Sequence, residues 1–145
     1  MAGDNMKVYF YEVNYRFTDC NEDDHSFLIG YFSSLKKARS AVEAVEHKSG
    51  FCDTNGAFTT QKFAVSFHQK VQKEDVILYE VSHEYTDEDG YDVFIVLGVF
   101  GAYEEALAVK MQNENKFPYN QYPDGFLISE CKADICGWQE GFVID

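Results

Sequence analysis

The chain has 145 residues, 46% of them hydrophobic and 17% aromatic, with only 2 prolines and 10 glycines, which excludes a disordered or low-complexity protein and allows a substantial core. Its 12 Lys and Arg and 25 Asp and Glu give a formal net charge of −13, so nucleic acid and anionic membrane surfaces should repel it. The longest apolar stretch, residues 93–100, is too short to span a bilayer, and the N-terminus lacks the layout of a secretory signal. We therefore expect a cytoplasmic protein that binds neither nucleic acid nor membrane directly.

The first half of the chain predicts two strands, a helix and a third strand. Aromatic and β-branched side chains dominate both predicted hairpin strands, and apolar residues from Leu35 to Val45 recur at helical spacing. A serine precedes the helix as N-cap, and a glycine follows it as stop signal. The predicted elements are a strand over 8–17, an acidic loop over 18–24, a strand over 27–32, a helix from Ser33 or Ser34 to Gly50, and a strand over 58–67.

The second half repeats the first. At a constant offset of 68, residues 8–58 align with residues 76–126 without a gap and are identical at 13 of 51 positions, where usual amino-acid frequencies would give about three. Two copies are too few for a solenoid, so a pseudo-symmetric pair is expected. The second helix should begin near Gly101 or Ala102, and its third strand should cover residues 126–133.

These patterns predict an α+β fold of two pseudo-symmetric ββαβ repeats, with mainly antiparallel sheet and one helix per repeat. The expected boundaries are residues 1–70 for the N-terminal repeat and residues 71–145 for the C-terminal one. A single ββαβ unit is too small to cover its own apolar surface, so we expect the repeats to pack as one globular unit. Either one continuous sheet or two small sheets would satisfy the pattern. Gly30 and Gly98, at the same place inside a strand, predict a bulge or a close helix contact.

Negative charge is concentrated in the second half. Residues 1–68 carry 7 basic and 9 acidic side chains, whereas residues 69–145 carry 5 and 16. Such a field either steers a basic partner or only keeps the protein soluble. The predicted turn at Asp87, Glu88, Asp89 and Asp92 is part of this charge. Its spacing does not suit calcium, because apolar residues follow where an EF-hand would place ligands.

Aromatic residues gather in the C-terminal third, among them Tyr119, Tyr122 and Trp138. Tyr and Trp are enriched among the residues that dominate binding energy at protein interfaces. The same side chains could instead fill a small core beneath a long loop. The sequence leaves both interpretations open.

No pattern of reactive side chains predicts catalysis. The four cysteines should be free thiols in the cytosol, and Cys131 and Cys136 have no second Cys or His pair with which to hold zinc. The histidines form no spaced pair, and no HExxH, P-loop or GxGxxG is present. We expect a protein without metal or cofactor that is not an enzyme. An enzyme would require a pocket with a strongly perturbed His or carboxylate.

The C-terminal end carries GFLI at residues 125–128 and WQEGF at residues 138–142, with Asp134 between them. This segment resembles a family of short bacterial proteins of unknown function that end in GFxI, an acidic residue and WxEGF. The resemblance covers about residues 76–142 and implies a fold but no activity. The N-terminal copy is degenerate: Lys70, Lys73 and Glu74 stand where the C-terminal copy has Trp138, Gly141 and Phe142.

These observations favour a bacterial or phage binding protein that masks a basic partner protein, in the manner of an immunity protein or an enzyme inhibitor. The alternative is a small-molecule sensor or accessory domain with its ligand between the two repeats. Neither the partner nor the oligomeric state follows from the sequence. The residues predicted to contact the partner are Asp87, Glu88, Asp89, Asp92, Tyr119, Tyr122, Trp138 and Glu140.

Overall fold

The computed structural model describes residues 6–143, and the strands and helices there follow the predicted order. In each half, two strands form a hairpin, a helix follows, and a third strand closes the repeat. The elements are β1 (Met6–Thr18), β2 (Asp24–Phe32), α1 (Leu35–Val45), β3 (Ala57–Phe67), β4 (Ile77–Thr86), β5 (Asp92–Phe100), α2 (Tyr103–Asn113) and β6 (Phe126–Lys132).

The strands form two three-stranded sheets, in the orders β2-β1-β3 and β5-β4-β6. Both hairpins are antiparallel, and their registers correspond: Tyr11 pairs with Phe32 in the first, and Tyr79 pairs with Phe100 in the second. Each register shifts at the same place, so that Ile29 and Leu97 have no opposite residue. These two β-bulges adjoin Gly30 and Gly98, where the sequence predicted a bulge. The α+β fold of two ββαβ repeats is confirmed.

Strand β2 begins at Asp24, three residues before the predicted start. The sequence prediction counted only the apolar run, but Asp24, His25 and Ser26 continue the ladder opposite the last residues of β1. Backbone pairing does not require an apolar side chain on an exposed strand end. The hairpin loop is therefore shorter than residues 18–24.

Helix α1 begins where serine capping predicted, with the Ser34 hydroxyl accepting a hydrogen bond from the Lys37 amide at 3.2 Å. The helix ends at Val45 and not at Gly50. The chain must leave the helix early because Phe51, only 4% exposed, turns into the core. Gly50 has φ of +87° in this turn, a conformation that glycine adopts at little cost.

The chain divides into two compact units, which do not coincide with the two repeats. The first unit contains Val8–Ala64, Gln72–Asp75 and the tail from Lys132 onward; the second contains the start of β1, Val65–Val71 and Val76–Cys131. The tail thus belongs to the unit built on the N-terminal repeat.

The two units have different cores. In the first, strand residues such as Val13 and Ile29 pack with Ala38 and Val45 of α1, and all four are buried. In the second, Leu78, Val81, His83 and Ala106 are fully buried. Ala38 and Ala106 occupy equivalent positions, and their small side chains allow each helix to lie close to its sheet. Within residues 6–143, no helix is long and apolar enough to cross a membrane.

Candidate functional site

The acidic turn between β4 and β5 is held by its own side chains. The Asp87 carboxylate accepts hydrogen bonds from the amides of Asp89 and Tyr91 at 3.0 and 2.9 Å, and the Thr86 hydroxyl donates to Asp92 at 2.7 Å. Asp87 and Asp92 therefore shape the turn, as Asx-type bonds do in many hairpins. Glu88 and Asp89 are exposed and present their charge to solvent.

The equivalent turn of the N-terminal repeat has the same construction and one additional partner. Asp19 accepts from the amides of Asn21 and Asp23, and its other carboxylate oxygen lies 2.9 Å from His25 Nε2. The hydrogen bond to His25 is the main reason that the pKa of Asp19 is lowered. Neither turn forms a cation site: no group of three or more His, Cys, Asp or Glu that could hold a metal occurs in the described part of the chain.

Tyr119 and Tyr122 pack around a buried histidine in the second unit. Nε2 of His83 lies 2.9 Å from the carbonyl oxygen of Tyr122, which assigns the ring proton to Nε2. The Tyr119 ring meets the imidazole edge-on at 4.8 Å, and the Tyr122 ring stacks on Tyr85 at 4.2 Å. Both tyrosines are half-buried, so here they stabilise the long loop before β6, as the small-core interpretation expects.

Trp138 and Glu140 belong to the first unit, whereas the other six predicted residues belong to the second. The indole of Trp138 stacks on Phe27 with ring centroids 4.6 Å apart, and its Nε1 donates to the carbonyl oxygen of Leu28 at 3.1 Å. A backbone bond from Gly141 to Trp138 closes the turn in which Glu140 is exposed. The eight predicted residues thus fall into an acidic turn, a loop core and a tail.

The tail lies along the sheet of the first unit and is joined to it by two backbone hydrogen bonds. The Asp134 amide donates to the Tyr31 carbonyl at 2.8 Å, and the Gly137 amide donates to the Ile29 carbonyl at 2.7 Å. Strand β2 is the outer strand of its sheet, so these bonds cover its edge. This docking was not predictable from the local pattern, because nothing in the sequence of residues 132–142 indicates which strand they contact.

Asp134 anchors the start of the tail at the N-terminus of α1. Its carboxylate accepts from the backbone amide and the hydroxyl of Ser33, each at 2.7 Å, and from Lys37 Nζ at 3.2 Å. Burial opposes ionisation of Asp134, but these hydrogen bonds outweigh it and lower its pKa. The tail then continues to Phe142, whose ring contacts Phe27 at 4.7 Å.

The second unit has a counterpart to the start of the tail but not to its aromatic part. Residues 65–71 correspond to residues 133–139 by the repeat offset. Phe67 lies against the backbone at Gly101, and His68 Nε2 is 2.8 Å from a carboxylate oxygen of Glu105. Lys70 stands in the place of Trp138, and the chain leaves this unit after Val71.

An apolar stretch of β5 is exposed in consequence. Phe94, Ile95 and Val96 retain 58%, 39% and 43% of their surface. Ile95 and Val96 correspond to Phe27 and Leu28, which Trp138 contacts in the first unit. Strand β5 is the outer strand of its sheet. We call Phe94, Ile95, Val96 and Leu97 the β5 edge. The β5 edge is recognised as open only by comparison with β2, which the tail covers. The position of the tail is a tertiary property, so the sequence did not predict this site.

Acidic side chains lie beside the β5 edge and in the turn that leads into it. Residues 76–131 hold 11 Asp and Glu and only 2 Lys and Arg. Glu84 is exposed and pairs in register with Phe94, and Glu88 and Asp89 stand in the turn that leads into β5. An exposed apolar strand within a strongly negative field favours a partner that is both apolar and basic.

Two other features of the described residues differ chemically from this edge. The Cys131 thiol has its pKa raised to about 11 by burial and by the nearby charge of Glu80, so it is protonated at neutral pH and a poor nucleophile. A cavity of about 620 Å³ opens in the first unit, and Arg16, Asp24 and His25 are among its lining residues. Its polar rim could admit a small molecule, whereas the β5 edge is suited to a chain segment.

The chain was compared with protein-family models, curated proteins and solved structures, and none of them matches it. The resemblance of residues 76–142 to the GFxI…WxEGF proteins therefore stays a prediction.

Proposed function

We propose that the protein is a cytoplasmic, non-enzymatic binding protein of a bacterium or phage, and that its acidic second unit masks a basic partner protein. Immunity to a toxin and inhibition of a nucleic-acid enzyme are the two concrete forms of this activity. The observation that carries the proposal is the β5 edge: three exposed apolar side chains in a row, within a segment of 11 acidic and 2 basic residues.

Charge and apolar surface have separate roles in this proposal. The negative field of residues 76–131 accelerates encounter with a positively charged surface, and salt screens that effect. The apolar side chains of Phe94, Ile95 and Val96 contribute the burial on which a lasting complex depends. Lysines and arginines on the partner would lie opposite Glu84, Glu88 and Asp89.

The experiment is a pull-down from lysate of the native host at low and at high salt, made with the wild type and two charge variants. In Glu88→Gln/Asp89→Asn, the acidic turn of the second unit loses two charges. The matched control, Glu22→Gln/Asp23→Asn, removes two charges from the equivalent turn of the first unit. The carboxylates of Asp19, Asp87 and Asp92 accept the hydrogen bonds that shape the two turns, so these substitutions leave those bonds in place.

We expect one stoichiometric basic protein on the wild type and on the control, released by high salt and retained several-fold less by Glu88→Gln/Asp89→Asn. Equal retention by both double variants would place the partner away from the second unit and contradict the proposal. A wild-type sample without a salt-released partner would do the same and would favour the small-molecule alternative. Saturable stabilisation by a metabolite would favour that alternative, in which the ligand lies between the two repeats.

A further inference from the structure

The tail on β2 is a built-in example of how this fold covers an outer strand. We propose that the β5 edge binds an extended, basic segment of the partner as an added strand, with a tryptophan or similarly large aromatic side chain of that segment over Ile95. This inference rests on the proposed function and specifies which part of the partner is bound. Addition of a strand to an exposed sheet edge is a recurring mode of peptide recognition.

The first unit shows the contacts that such a segment makes. Its tail uses the Ile29 and Tyr31 carbonyls for backbone hydrogen bonds and the Leu28 carbonyl for the Trp138 indole. Backbone bonds give affinity to strand addition, and side-chain contacts give it specificity. Both kinds of contact are present within a segment of five residues, from Asp134 to Trp138.

The repeat transfers this geometry to β5. The hairpins have equivalent registers and the same bulge, so Leu97 occupies the position of Ile29, and Val96 that of Leu28. The bulge matters because it sets the direction of the strand edge at the docking position. Residues 65–71 occupy the part of the unit near Gly101, which directs an incoming segment to the other end of β5.

Compared with the first unit, the second unit lacks one aromatic contact on its hairpin and not two. In the first unit, Phe142 stacks on Phe17 at 5.5 Å and Trp138 stacks on Phe27. In the second unit, Tyr85 corresponds to Phe17, and Tyr122 already stacks on it at 4.2 Å. The place of Phe142 is therefore filled from within the unit. The place of Trp138 is over Ile95, which keeps 39% of its surface exposed.

The charge of the segment follows from its surroundings. The tail that binds β2 carries Asp134, which pairs with Lys37. At β5, the exposed Glu84 pairs in register with Phe94, and the turn that leads into the strand carries Glu88 and Asp89. A second copy of this chain would bring the same negative charges to the edge, so like-charge repulsion disfavours it. A lysine- or arginine-rich segment complements it.

The test uses a synthetic peptide of residues 132–143 in which Asp134 and Glu140 are replaced by lysine and Cys136 by serine. This probe keeps the tail's backbone spacing and its tryptophan and has the required charge. It is titrated into the isotope-labelled full chain, and the amide resonances of the chain are followed by NMR. A second peptide with the further change Trp138→Ala isolates the aromatic contact without altering the protein.

We expect the largest shifts at residues 94–97 and a dissociation constant at least about tenfold weaker for the peptide that lacks tryptophan, as for an interface hot spot. Ile95→Lys in the protein should abolish these shifts. The control Leu127→Lys, on the outer strand β6 of the same sheet, should retain them, since Leu127 is exposed at 59%.

Three results would overturn the inference. Equal binding of both peptides, with shifts confined to residues 87–92, would indicate charge attraction alone and leave the proposed function standing. Shifts at residues 24–31 would mean that the peptide displaces the tail. Failure of the tryptophan peptide to bind would reject strand addition, while the salt-released partner in the lysate experiment separately decides the masking function.

Discussion

Replacement of Trp138 by alanine tests whether the tail is docked on β2. Trp138 is 41% exposed, so somewhat more than half of its roughly 200–250 Å² is removed from water. Burial of about 130 Å² at about 25 cal/mol per Å² stabilises by roughly 3 kcal/mol. Residual burial in the unfolded chain reduces this by about a quarter, and the hydrogen bond to Leu28 adds about 0.5–1 kcal/mol.

We therefore expect Trp138→Ala to lower the free energy of unfolding by about 3 kcal/mol, at the lower end of the 3–5 kcal/mol typical of a fully buried ring. Trp138→Phe keeps contact with Phe27 and loses the indole donor, so its cost should be about 1 kcal/mol. Urea denaturation followed by far-ultraviolet circular dichroism measures both values. Fluorescence is unsuitable for the comparison because Trp138 is the protein's single tryptophan.

Phe117→Ala is the control, because Phe117 is 74% exposed and its removal should change stability by no more than about 0.5 kcal/mol. If Trp138→Ala cost as little as this control, the indole would not be held against β2 and the argument from the tail would fail. A cost above about 4 kcal/mol would also contradict this docking geometry, since the buried part of the ring cannot account for it.

Two further substitutions test the anchoring of the tail. Asp134→Asn should lower the free energy of unfolding by about 1–2 kcal/mol at pH 7, because it weakens the bonds from Ser33 and Lys37. The pKa of Asp134 is lowered in the fold, so the stability that this group contributes is present above its unfolded pKa of about 4 and is lost as pH falls through the folded value. Urea unfolding from pH 7 to acid should show this loss in the wild type and not in Asp134→Asn. Parallel curves of unfolding free energy against pH for the two proteins would contradict it. Gly141→Ala should cost more than about 2 kcal/mol, because φ is +79° and a Cβ would collide with the loop after α1. The control Gly90→Ala, at φ +84° with open space around it, should cost only about 1 kcal/mol; equal losses in thermal or urea unfolding would argue against a tightly seated tail.

The hairpins and the α+β class follow from local chemistry. Alternating aromatic and β-branched residues define β1 and β4, and small residues such as Ala38 mark the helix face that meets the sheet. The sequence did not predict that β2 begins at Asp24, because backbone hydrogen bonds hold this polar end of the strand and require no apolar side chains. The helix end at Val45 was missed for a related reason: the burial of Phe51 determines it, and burial is a tertiary property.

The roles of the predicted site residues divide in the same way. The acidic turn was identifiable because Asp87 to Asp92 are neighbours in the chain, and the bonds that shape the turn are local. The sequence could not distinguish the different roles of the aromatic residues. Tyr119 and Tyr122 pack around His83, whereas Trp138 packs on Phe27, 111 residues earlier in the chain.

By itself, the sequence determined that the protein consists of two ββαβ copies with acidic charge concentrated in the second, because repeats, periodicity and charge are properties of neighbouring residues. That the tail covers β2 while Phe94, Ile95 and Val96 of β5 stay exposed is a result of tertiary contacts. The physical reason is that an outer strand can be covered by any extended segment that reaches it. Which segment does so depends on the path of the whole chain, and that path left one edge covered and the other open.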